Sequence, residues 1–150
     1  MTYTVADLLK MTADQLDALF SSGTVGDIPN GPAKGTAIIA SGTVFSSEIA
    51  EFANLFVWQG KTFDAAKGVL RNRILPMGLN AIVASVYKGT SLLDGKECIV
   101  LDYSETSMVA HWIRDEIRLI GPDFYLGRVY WSNKPLIHFC LQFGAAASAD

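Results

Sequence analysis

The stretch WIRDEIRLIGPDFYLGRVYW, residues 112–131, decides how the chain is read. Arg114, Asp115, Glu116 and Arg118 stand there among Trp, Ile, Leu, Phe and Tyr. A buried charge is costly unless it is paired, so these four either face water or line a site. In a strand, alternate side chains share a face. Val109, His111, Ile113, Asp115, Ile117 and Leu119 then point one way, and Ala110, Trp112, Arg114, Glu116 and Arg118 the other. The first set is apolar apart from His111 and Asp115, which would lie about 13 Å apart on one wall at a rise of roughly 3.3 Å per residue. The second set reads as a solvated ladder of alternating charge, worth a few tenths to about 1 kcal/mol per pair. A helix would instead gather Val109, Trp112, Ile113, Glu116, Ile117 and Ile120 on one face. The short turn signals on either side suit hairpins, which favours the strand.

Moving outward, runs rich in Val, Ile, Tyr and Phe follow one another: KTF, GVLRNRIL, AIVASVYK, ECIVLDYS, MVAHWIRDEIRLI, FYLGRVYW and PLIHFCLQF. Between them lie turn formers such as P-M-G-L-N, L-L-D-G-K, G-P-D and S-N-K-P. With a strand over 36–45, broken at Gly42, there are enough strands for an antiparallel up-and-down barrel without exposed edges. Two short helices are expected in the first 22 residues, because Thr4 and Thr12 open sequences that resemble capping boxes. The Gly- and Pro-dense segment 23–35 reads as an ordered loop, and Ile49, Phe52, Ala53 and Phe56 predict a helix over 46–58. The fold class is thus mainly β, a single barrel domain over 1–150 with an N-terminal helical lid or plug and a frayed tail over 144–150.

Composition excludes several function classes. Half of the 150 residues are hydrophobic and 18% are charged, which is the make-up of a folded chain. The net charge of −3, with basic residues scattered, offers no stripe for nucleic acid. Cys98 and Cys140 lie inside apolar runs, which suits buried thiols and a reducing, cytoplasmic setting. No apolar run reaches the roughly 18 residues of a membrane span. Neither a metal nor a cofactor is expected, since C-x-x-C, H-x-x-x-H, G-x-S-x-G and G-x-G-x-x-G are all absent. G-K-T at 60–62 lacks the earlier glycine of a phosphate-binding loop, position 55 being Leu.

Trp58, Gly60, Lys61 and Phe63, an Arg-containing strand downstream and the pair Leu126–Gly127 give the chain a likeness to small calycin-type, lipocalin-like proteins. It most resembles the GXWXG type, a family of unknown function; Gly31 and Gly35 fall at the namesake motif and Ala33 takes the tryptophan's place. The resemblance implies a barrel that holds one small ligand inside.

Two functions of different class fit these residues. One is the binding of a small hydrophobic or aromatic molecule in the barrel, with Trp58, Phe63, Arg114, Arg128 and Tyr130 as ligand contacts. The other is a cofactor-independent isomerase, cyclase or lyase acting on such a ligand. In it His111 or His138 would be the acid or base, Asp115 a carboxylate partner, Arg114 or Arg128 the anion stabiliser, and Tyr103 or Tyr130 a donor. A homodimer formed through exposed aromatic residues is a third arrangement.

Overall fold

The computed structural model describes residues 2–40, 58–74, 79–103 and 113–144. Two short helices come first, α1 (Val5–Leu9) and α2 (Ala13–Ser22). Eight strands follow among the described residues: β1 (Gly31–Ile38), β2 (Trp58–Asp64), β3 (Val69–Ile74), β4 (Leu79–Thr90), β5 (Glu97–Asp102), β6 (Ile113–Gly121), β7 (Phe124–Trp131) and β8 (Lys134–Phe143). Each strand pairs antiparallel with its sequence neighbour, and β1 pairs with β8 to close the barrel. No helix among the described residues is long and apolar enough to cross a membrane.

Local chemistry accounts for the elements. Thr4 and Thr12 each accept from the backbone N–H three residues on, and the side chains of Asp7 and Gln15 return the bond, so both helices begin at full capping boxes. At the β7–β8 hairpin Ser132 and Asn133 both have positive φ, the requirement of a two-residue turn that matches strand twist. Gly127 faces Phe139 across β7 and β8, and a Cβ at that position would lie 2.2 Å from the phenyl ring. Glycine is there because an aromatic ring occupies the space above it.

The alternation read from 113–119 holds. Ile113 and Ile117 point into the barrel, where they meet Phe63, Val86, Leu101, Tyr103, Val129 and Phe139 in one apolar core. A second core lies outside the wall, where Leu8, Leu16, Leu19 and Phe20 of the helices cover Ile38, Val100, Leu126 and Cys140. The helices thus form a layer over the outer face of β5, β6, β7, β8 and β1.

That layer corrects one expectation. Glu116 and Arg118 occupy the outer face as anticipated but are 0% and 1% exposed, so they do not form a solvated ladder. Arg118 donates to both carboxylate oxygens of Asp94 (2.6 and 2.8 Å), to the Glu97 carbonyl and to the Phe20 carbonyl at the end of α2. Glu116 accepts from Arg114, from the Ser91 hydroxyl (2.7 Å) and from the Leu92 N–H (2.8 Å). Full pairing and hydrogen bonding are what allow these charges to be covered.

A second correction concerns segment 23–35. Strand β1 begins at Gly31, because residues 31–33 pair with β2 while 33–38 pair with β8; closure recruits Gly31 and Pro32 against their turn propensity. Likewise Trp58 stands in β2 rather than at a helix end. The helix expected over 46–58, otherwise, and the 41–45 part of the expected first strand lie outside the described residues, as does the tail beyond Gly144.

Candidate functional site

The antiparallel registers fix which side chains can meet. Glu116 pairs with Arg128 and Arg128 with His138, which in turn pairs with Ile38; the four form a row across β6, β7, β8 and β1 on the outer face. Arg114 is opposite Tyr130 on the same side. Asp115 pairs with Leu101 and Val129, which places it on the opposite, inward face of the wall.

Helix α2 completes the outer cluster. In it Ala13, Leu16, Asp17 and Phe20 hold the i, i+3, i+4, i+7 spacing of one largely apolar face, on which Leu16 and Phe20 are buried, Ala13 is exposed and Asp17 is half-buried. Its Oδ1 lies 2.7 Å from Nε2 of His138 and accepts from Nε of Arg128 at 3.0 Å. A carboxylate only accepts, so the Nε2 proton of His138 is the donor and Nδ1 carries the ring's lone pair. Arg128 donates through Nη1 to the Tyr130 hydroxyl, and its guanidinium sits 5.0 Å from the centre of the Tyr130 ring.

Burial tunes these groups. It pulls His138 below its ordinary pKa, with Asp17 opposing the shift, so the imidazole favours its neutral form. Burial likewise raises the Tyr130 phenol, with Glu116 adding to the effect, and keeps its proton on. Beside the cluster is a cleft of about 260 Å³ lined by Asp17, Arg128 and His138 together with Ala13, Leu136 and Ile137, among other apolar residues. A second cleft of about 400 Å³, next to the end of α2, is lined by Tyr3, Leu19 and Leu119 and has no ionisable carboxylate, imidazole or guanidinium in its wall.

The structure therefore divides the residues nominated from sequence. His138, Arg128 and Tyr130 come together outside the barrel, with Arg114 nearby bonding Glu116 and the Thr90 carbonyl (2.7 Å). Asp115, Tyr103 and Phe63 are buried inside it, and Phe63 packs edge-on against Phe143. Asp115 and His138 consequently stand on opposite sides of the sheet and cannot act on one atom. His111 and the Trp58 side chain lie outside the described residues. Among the described residues no three His, Cys, Asp or Glu side chains converge to hold a metal. Cys98 and Cys140 are both buried, and burial pushes Cys98 up to about 12, which makes it a poor nucleophile.

Sequence reasoning missed Asp17. The signal was present: a carboxylate at the i+4 place of an apolar stripe implies a partner on the surface it packs against.

No family model matches the chain, and no curated protein matches it. It is similar to the crystal structure of a protein from Thermomonospora curvata, with a TM-score of 0.63 and 15% identity over 93% of each chain. At that identity the likeness establishes the fold alone.

Proposed function

We propose that this chain binds a small, mostly apolar molecule with one polar end, seated in the cleft between α2 and the outer face of β7 and β8. The observation that carries the reading is the cleft itself: a space of about 260 Å³ with apolar walls and with His138 and Arg128 oriented by a shared carboxylate. Apolar area gives a ligand affinity, and a few fixed polar groups give it orientation. The volume suits a compact ligand on the scale of one or two rings, slightly under the roughly 300–1,000 Å³ of drug-sized pockets.

A second reading places the ligand in the barrel interior. Its support is the burial of Asp115 and Tyr103 within an otherwise apolar core, in a barrel of the strand number that can hold one small ligand.

Native mass spectrometry of the chain purified from its own host tests both. The expected result is a bound compound in the wild type that is lost from Ala13→Trp, since Ala13 is exposed at the wall of the cleft and an indole there fills it. Retention in Ala13→Trp, with loss from Asp115→Asn, would move the ligand into the barrel.

A further inference from the structure

The floor of the cleft holds more chemistry than retention of a ligand requires. Asp17 occupies Nε2 of His138, so the unprotonated Nδ1 is the ring nitrogen left for a molecule in the cleft that His138 lines. Arg128 commits Nε to Asp17 and Nη1 to Tyr130, and among the described residues Nη2 makes no hydrogen bond. A base and a cationic donor, both fixed to one carboxylate, thus border the same apolar space.

We propose that this cleft catalyses proton transfer on a small apolar ketone or aldehyde bearing a C–H next to its carbonyl, with His138 as the base and Arg128 as the stabiliser of the enolate. The inference rests on the cleft reading above. In the forward step the C–H bond breaks and its proton passes to Nδ1 of His138. The released pair forms a C=C bond while the carbonyl π pair moves onto oxygen, where the Nη2–H of Arg128 donates to it. The new imidazolium is held by the Asp17 carboxylate. Return of the proton to the same carbon, or to another carbon of the conjugated system, completes an exchange or an isomerisation, and no oxidant or reductant takes part.

Electrostatics select this substrate class. A carboxylate or phosphate ligand would meet Asp17 and compete with it for Arg128, whereas a neutral carbonyl meets no repulsion and acquires charge only as the proton leaves. The base is ready at neutral pH, because burial lowers the His138 pKa. Among the described residues the charged or titratable groups facing it are Asp17 from α2 and Arg128 and Tyr130 from β7, while β1 presents Ile38.

The test uses 2-tetralone as probe with the full chain in D2O. Proton NMR follows exchange of the methylene protons beside the carbonyl, and saturation-transfer NMR follows binding. A positioned general base is worth roughly 10²- to 10⁴-fold, so the wild type is expected to exchange the probe at least about 100-fold faster than His138→Gln, with binding retained in the variant. Exchange in the wild type should rise with pH to a plateau through a midpoint below the ordinary histidine value. Asp17→Asn should move that midpoint further down, since the carboxylate is what holds the imidazolium; this profile stands even where His138→Gln folds poorly. Saturation transfer with equal exchange in wild type and His138→Gln overturns the chemistry and leaves the binding site standing. Absence of both saturation transfer and exchange overturns the cleft reading itself and the chemistry with it.

Discussion

His138 is pulled in two directions, and the outcome has a thermodynamic consequence. Burial lowers its pKa more than the Asp17 carboxylate raises it, so the folded chain binds this proton less readily than the unfolded chain does. A group with a depressed folded pKa stabilises the fold above its unfolded value, near 6.5, and loses that contribution as pH falls toward the folded value. Wild-type thermal stability should therefore decline between about pH 7.5 and pH 5 by more than that of His138→Gln, a window set by the ordinary histidine pKa. Melting curves of the two proteins, recorded across that window in one buffer series, check the claim; parallel curves would show that His138 is protonated equally in both states. Taking the difference removes the contribution of His111. Asp94 titrates elsewhere, because the Arg118 guanidinium holds its carboxyl well below the usual carboxylate range. Its contribution is lost only in stronger acid.

At the scale of elements, the pair Arg118–Asp94 ties three pieces together: β6, the β4–β5 turn and the C-terminal end of α2. Arg118 is nearly fully buried and lies 4.6 Å from the centre of the Phe20 ring. Removing one partner of such a pair leaves a buried charge, at a cost of about 3–5 kcal/mol. Asp94→Ala should lower stability by that amount in urea unfolding, and Arg118→Met, which removes the charge and keeps apolar volume, should cost less. The reverse order would mean that Asp94 does not compensate Arg118. This region also shows what was legible in the sequence. The period-2 alternation of 113–119 sorted the side chains onto the correct faces, because parity is a local property of a strand. It could not show that the outer face is covered, since α2 reaches β6 across about a hundred residues of chain; the hydrogen bond of Arg118 to Phe20 has no local signature. Asp17 was passed over while its partners His138 and Arg128 were named, because a carboxylate within an apolar stripe signals that a partner exists without saying which residues supply it. Strand β1 was misjudged at its start, since Gly31 and Pro32 become strand only by pairing with a segment some thirty residues away.

For the whole molecule, the decisive fact is that two apolar cores lie on the two sides of one wall. Among the described residues the inner core, from Ala33 and Phe63 round to Phe143, contains no helical residue, whereas the outer core draws Leu8, Leu16, Leu19 and Phe20 from the helices. The barrel was legible in the sequence because its strands are short, consecutive and separated by turn formers; its outer layer was visible only as two amphipathic helices without an address. The chain should then respond asymmetrically to loss of that layer. Deleting residues 2–22 leaves the inner core intact but uncovers Ile38, Val100, Leu126 and Cys140, and deprives Arg128 and His138 of Asp17 and Arg118 of the Phe20 carbonyl. An uncovered apolar face of this kind binds hydrophobic dyes and promotes association. The truncated chain is expected to keep the far-ultraviolet circular dichroism of a β protein, to raise 8-anilinonaphthalene-1-sulfonate fluorescence severalfold, and to sediment as dimers or larger species with increasing concentration. Loss of the β signal would mean that the helices are needed for closure itself, and that the two cores fold as one. A dye-silent monomer would place the apolar face under some other cover. Retained β signal with dye binding would confirm that the helices serve chiefly to roof the outer face, and so to build the cleft in which Asp17 meets His138 and Arg128.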